Sequence, residues 1–211
     1  MRVLVACEES QRVCMAFRKR GHQAFSCDIL PCSGGHPEWH IQDDVLRILD
    51  HGWDLVIAHP PCTYLTVAGS VRLMDGKTHT VKDMARYKKM VEAADFFYQF
   101  WNYNTSPIAI ENPVPMKIAG LPMYSQIIEP YWFGDPWYKR TCLWLKDLPK
   151  LVPSNMVTPT GHWINASSKT SEGQSDPKMR SKTFPGIAEA MADQWGSYLE
   201  RSYPCQNSSP I

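Results

Sequence analysis

Leu55-Val56-Ile57-Ala58-His59-Pro60-Pro61-Cys62 is a run of four apolar residues that closes on two prolines and a cysteine. A short apolar run bounded by prolines reads as a buried strand of a parallel sheet. Each proline fixes its own φ and restricts the residue before it, so the strand end delivers Cys62 in a stiff direction. A thiolate presented this way is suited to attack on a bound ligand. A lone cysteine in a reduced protein is also commonly a small buried hydrophobe, and the tripeptide alone leaves both readings open.

Working outward, residues 2–7 (RVLVAC) form a second short β-branched run, followed by a helical stretch over 10–20 that stops at Gly21. Residues 22–27 read as a strand ending at Asp28, and 44–50 as a short helix before the strand at 53–58. Strand and helix in alternation predict an α/β chain with an open, doubly wound, mostly parallel sheet. Thr80 and Asp83 form a capping-box signature for a long helix to about Trp101, with Met84, Tyr87, Val91, Ala94, Tyr98 and Trp101 as its apolar stripe. Ile108-Ala109-Ile110 is a further buried strand ending in Glu111-Asn112-Pro113, and residues 127–128 and 141–145 supply two more. Residues 152–183 are rich in Ser, Thr, Asn, Pro and Gly and read as a long irregular loop, after which Pro185 opens an amphipathic helix through Ile187, Ala190, Met191, Trp195 and Tyr198.

A chain of 211 residues can bury one substantial core, so residues 1–211 are expected to form a single domain. Net charge is +1 with no long basic run, which leaves little electrostatic footprint for wrapping a duplex and makes any nucleic-acid contact local. Seven cysteines without a paired framework, and no signal-like N-terminal stretch, predict a reduced, cytoplasmic protein. Cys27, Cys32, His36 and His40 fit no standard zinc spacing, and Gly34, Gly35 and Pro37 among them mark a loop.

In an open α/β sheet ligands bind at the carboxyl ends of the strands. The unusual residues fall there: Cys7-Glu8-Glu9, Asp28, Pro60-Pro61-Cys62 and Glu111-Asn112-Pro113. Asp28 fits a ribose acceptor or an ordinary turn residue, and Asp44 fits an adenine partner or a helix start.

These motifs resemble the cytosine carbon-5 methyltransferases, which use S-adenosylmethionine. Pro60-Pro61-Cys62 matches that family's nucleophile motif, Glu111-Asn112-Pro113 is similar to its Glu-Asn-Val motif, and Asp44-Val45 is similar to its Gly-Asp-Ile adenine motif. Lys139-Arg140-Thr141-Cys142-Leu143-Trp144-Leu145 partly resembles its Gln-x-Arg-x-Arg strand. The resemblance implies a Rossmann-like, class I methyltransferase fold, with S-adenosylmethionine against Cys7, Glu8, Glu9, Asp28, Asp44 and Pro60. It implies Cys62, Glu111, Lys139 and Arg140 as catalytic residues, and DNA or a cytosine nucleotide as partner. Two departures stand out. The first motif lacks the family's glycines, and only residues 152–183 stand where a target-recognition domain would be, as in short stand-alone members found in phage genomes.

The chemistry explains the combination. Carbon 5 of cytosine is a poor nucleophile until a thiolate adds at carbon 6, the role implied for Cys62. Glu111 would handle the proton at ring nitrogen 3, which calls for a carboxyl pKa raised by burial. Lys139 or Arg140 would polarise the ring carbonyl. Residues 66–82, with Gly69, Arg72, Gly76, Lys77 and Lys82, read either as a mobile loop over Cys62 that fills the gap behind a flipped base or as a plain surface loop. Competing readings are a non-catalytic nucleotide-binding relative and an amino-methyltransferase that would use Tyr64 for stacking.

Overall fold

The computed structural model describes residues 1–104, 107–163 and 181–202. β1 (Arg2–Ala6), α1 (Arg12–Lys19), β2 (Gln23–Asp28), β3 (His40–Gln42) and β4 (Leu55–Ala58) form the first half. The second half contains α2 (Ser70–Leu73), α3 (Met84–Trp101), β5 (Ile108–Pro113), β6 (Gln126–Ile128), β7 (Trp137–Tyr138), β8 (Thr141–Lys146), β9 (Gly161–His162) and α4 (Pro185–Ser202). Seven strands make one sheet in the order β3-β2-β1-β4-β5-β8-β6, in which β8 runs against its neighbours β5 and β6 and every other pairing is parallel. β7 and β9 form a separate parallel pair.

Side chains alternate across a strand, and the core divides accordingly. Val3, Val5, Leu55 and Ile57 point to the face covered by α1 and α4, where they meet Phe17, Met191 and Trp195. Leu4, Ala6, Val56, Ala58, Ile108 and Ile110 point to the face covered by α3, where they meet Phe97, Phe100 and Trp144. Strands buried on both faces are continuous apolar runs for this reason. The sheet is Rossmann-like: strand order reverses between β1 and β4, which opens a crevice at their carboxyl ends.

Several expectations shift. The short helix expected at 44–50 is a 3₁₀ turn over Val45–Arg47, and Asp44 caps it by accepting from the Leu46 amide at 3.0 Å. In α3 the cap is Asp83 itself, accepting from Arg86 N at 2.8 Å, with Thr80 outside the helix. The buried stripe is Met90, Ala94, Phe97 and Phe100, while Met84 and Val91 are exposed. α3 carries two overlapping stripes at the same period, and the sheet takes the one whose phenylalanines reach Trp144. Residues 66–82 are folded: a 3₁₀ turn (Val67–Gly69) leads into α2, an isolated bridge joins Met74 to Val81, and Leu65 and Leu73 are fully buried beneath. Of the loop expected over 152–183, residues 164–180 lie outside the described residues. The described part from Val152 is mostly exposed and is tied to α4 where Val152 and the Gln194 side chain exchange two hydrogen bonds. Among the described residues no helix is long and apolar enough to cross a membrane.

Candidate active site

β1 is followed by Cys7, whose φ of 59° lies in the left-handed region that favours glycine. A cysteine thus makes this turn, and the Glu8 amide that follows reaches the Cys27 carbonyl at 3.2 Å. Glu8 is buried and turned to the start of α1, accepting from the amides of Val13 at 2.7 Å and Cys14 at 3.2 Å. α1 has no other side-chain cap, so Glu8 satisfies donors that the helix leaves unpaired. Burial pushes its carboxyl up, against the opposing pull of His59 and of those two amides. Glu9 accepts from the Ser33 hydroxyl and holds the loop after β2 over the turn. Gln11 clamps the same loop through His36, donating to its carbonyl at 2.7 Å and accepting from its amide at 3.0 Å.

Gly34 lies in the same loop. A Cβ there would lie 2.6 Å from both the Gln11 Cβ and the Ser10 carbonyl oxygen. Gly34→Ala is therefore expected to push the 29–36 loop away from the turn after β1, costing about 1–3 kcal/mol by overpacking. Chemical denaturation checks this.

Among the described residues, three of the cavities at the carboxyl edge of the sheet adjoin one another through shared walls. The first, about 290 Å³, is bounded by Cys7, Asp28, Leu30, Asp44, Pro61 and Phe96. The second, about 330 Å³, shares Cys7, Asp28, Leu30 and Pro61 with the first and adds Glu8, Glu9, His59 and Cys62. The third, about 700 Å³, shares Cys62 with the second and is lined further by Pro113, Tyr131, Tyr138, Lys139 and Arg140. Cys62 is the wall common to the second and third, half-buried and open to both sides.

Asp28 accepts from Leu30 N at 2.9 Å with one oxygen, so it serves as a turn residue while lining the first two cavities. Asp44 combines its cap with a place in the wall of the first cavity. Pro60 is buried, and its carbonyl accepts from the Asn112 side chain at 2.8 Å; Pro61 is the proline that reaches the cavities. Asn112 thereby ties the end of β5 to the end of β4 and fixes the direction from which Cys62 departs.

Lys139 and Arg140 precede β8, so the alternation of a strand does not separate them and both line the third cavity. The Lys139 amide donates to Glu129 Oε2 at 2.7 Å, and the exposed Arg140 guanidinium lies 3.9 Å from Glu129 Oε1. Burial raises the Glu129 carboxyl, and these two partners oppose the rise.

Ala58 pairs with Ile110 across β4 and β5, so the next residues, His59 and Glu111, lie side by side. His59 Nδ1 is 3.0 Å from Glu111 Oε2, and the two side chains are 10 % and 14 % exposed. Burial alone would raise the Glu111 carboxyl, as the sequence suggested. The hydrogen bond and charge of His59, helped by Lys139, outweigh it and hold the carboxyl below the usual carboxylate range. Burial would likewise depress His59, but Glu111 and Glu8 outweigh it and raise the imidazole. His59 is the residue the sequence reading missed; its signal was a histidine one step past a buried strand, level with an acid one step past the next. The same face of β5 carries Glu111 and Pro113, and Pro113 lines the third cavity. Among the described residues no group of three or more His, Cys, Asp or Glu side chains is placed to hold a metal ion; His40 instead pairs with Ser26 and the Leu30 carbonyl.

No protein-family model matches the chain, and no curated protein matches it. Among solved structures, that of the Entamoeba histolytica methyltransferase EhMeth is similar, with 12 % identity over 74 % of this chain and a TM-score of 0.46. The chain spans 57 % of that protein's length. Strand order, a parallel sheet centre and a crevice at the β1–β4 reversal define a Rossmann-like α/β protein.

Proposed function

We propose that the protein transfers a methyl group from S-adenosylmethionine to carbon 5 of cytosine, with DNA as the substrate and a covalent Cys62 adduct as the intermediate. The observation that carries this reading is the position of Cys62 between the nucleotide-sized crevice and the larger cavity, at a strand end stiffened by two prolines.

The residues present fit the cofactor. Asp28 closes β2 where a ribose acceptor is needed, Asp44 and Phe96 border an apolar cavity of adenine size, and the left-handed Cys7 turn opens the crevice between them. When bound, S-adenosylmethionine supplies an electrophilic methyl group. Cys62 adds to carbon 6 of the ring from the third cavity and makes carbon 5 nucleophilic. Lys139 lines the third cavity, where its ammonium would polarise the ring carbonyl, and Asn112 would keep the Pro60–Cys62 turn in place during attack.

DNA is favoured over a free nucleotide by the size of the third cavity and by its aromatic rim. Tyr131 and Tyr138 meet edge to face at 5.3 Å, and Tyr138 is within 5.1 Å of the His162 ring, so the rim offers stacking surface for neighbouring bases. Arg140, exposed beside it, suits a backbone phosphate. Tyr138→Ala is expected to weaken oligonucleotide binding by about 1–3 kcal/mol while leaving cofactor affinity unchanged. Fluorescence anisotropy at several salt concentrations checks this, and a flat salt response would favour the free-nucleotide form of the same chemistry.

The direct test is incubation with S-adenosylmethionine and an oligonucleotide containing 5-fluorocytosine, followed by intact-mass analysis. The expected result is a stable adduct mapped to Cys62. Cofactor binding with no adduct on DNA or on free nucleotides would leave a non-catalytic nucleotide-binding protein.

A further inference from the structure

We propose that His59 is a positioning residue that, paired with Glu111, holds the proton presented to ring nitrogen 3 of the base, so that the two side chains act as one proton-holding unit. This rests on the cytosine carbon-5 reading above and assigns its acid step to a pair instead of a lone carboxyl.

Nδ1 and Oε2 are 3.0 Å apart between two side chains almost wholly withdrawn from water. His59 is fixed from both sides, since its amide donates to the Ala6 carbonyl at 2.9 Å and the following Pro60 restricts its backbone. The ring also lines the second cavity together with Cys62, and Glu111 shares a face of β5 with Pro113, which lines the third cavity together with Cys62. Its Nε2 is buried and has no hydrogen-bond partner among the described residues, so the bond to Glu111 is the contact that orients the ring. The other charges acting on the imidazole are the Glu8 carboxylate and the Lys139 ammonium, of opposite effect.

The chemistry requires such a partner. A buried carboxyl that hands over its proton unaided becomes a buried carboxylate, which is costly in a site from which water is excluded. With the imidazole beside it, the carboxylate left when the pair has given up one proton still accepts a hydrogen bond from the neutral ring, and its negative charge faces the positive charge that the proton carries to nitrogen 3. The Cys62 thiolate forms the sulfur–carbon 6 bond, nitrogen 3 takes one proton from the pair, and the carbon 5–carbon 6 electron pair becomes available at carbon 5. Carbon 5 would take the methyl group that bound S-adenosylmethionine supplies, with a neutral thioether as the leaving group. Water removes the carbon 5 proton, the double bond re-forms, the thiolate leaves, and the nitrogen 3 proton returns to the pair.

Two measurements test this. In ¹⁵N NMR of the whole protein, the His59 ring should titrate above its ordinary value of 6.5 and fall back in Glu111→Gln; a ring already neutral at pH 6 would overturn the pairing. In the 5-fluorocytosine assay, the rate of adduct formation in the unaltered protein should decline as pH rises through the His59 titration. In His59→Gln, melted to confirm that it folds, the rate at neutral pH should drop tenfold or more and the descending limb should move away from that pH. An unshifted limb at full rate in His59→Gln would overturn the role of His59 while leaving the cytosine reading intact. Absence of any adduct in the unaltered protein would overturn the cytosine reading itself, and this role with it.

Discussion

Replacing Cys62 with serine is expected to abolish adduct formation and to lower turnover by about 10⁴-fold or more, while S-adenosylmethionine still binds within about threefold of its original affinity. The size of the effect follows from the chemistry, because a serine hydroxyl is far less acidic and less nucleophilic than a thiol and would not supply the anion that activates carbon 5. The specificity of the effect follows from position. Cys62 is the boundary between two cavities, but the first cavity, with Asp28, Asp44 and Phe96, does not include it. Single-turnover assay and calorimetry on the same preparation separate the outcomes. Turnover retained in Cys62→Ser would remove the covalent mechanism. Cofactor affinity lost together with turnover would mean that the thiol supports the crevice structurally.

Replacing Glu111 with leucine is expected to cost about 3 kcal/mol of stability at pH 6, the low end for removing one member of a buried pair, because His59 can then shed its proton. The double replacement of His59 and Glu111 by leucine should recover much of that loss, since neither member is left unpaired. The pH dependence has a definite sign. His59 is raised above its ordinary 6.5, so its contribution is complete below that value and is lost as pH rises through the elevated one. Glu111 is held below its ordinary 4.5, so its contribution is present above that value and is lost as pH falls through the depressed one. The pair thus stabilises most between those two ordinary values and fades on both sides. Urea denaturation at a series of pH values reads this directly; a Glu111→Leu curve parallel to that of the unaltered protein at every pH would show that the pair carries no linkage.

Much of the framework was legible because it depends on local patterns. The apolar runs at Val3–Ala6, Leu55–Ala58 and Ile108–Ile110 are continuous because both faces of the sheet are covered, and their ends carried the residues with unusual chemistry. Pro60-Pro61-Cys62 was readable because proline geometry acts within two residues. The stripe of α3 was misplaced because Met84 and Phe97 satisfy the same helical period, and only the position of Trp144 chooses between them. The three-residue strand β3 and the two-residue strands β7 and β9 were not visible, since so few residues show no alternation and exist only through their partners.

The candidate site divides in the same way. Cys7 was noted for the glycine it replaces, but its left-handed φ and the close approach of Gly34 to Gln11 need the folded loop. Glu8 read as a ligand-facing acid, and its engagement with the first amides of α1 depends on how the chain turns after β1.

From residue order alone came the strand ends, Cys62 at one of them, and the parallel α/β plan, because periodicity and proline stiffness are properties of a few neighbouring residues. Folding added the pairing of His59 with Glu111, the clamp from Asn112 to Pro60 and the cavities that share Pro61 and Cys62 as walls. Those depend on the register between strands 52 residues apart in the chain, which no local pattern encodes.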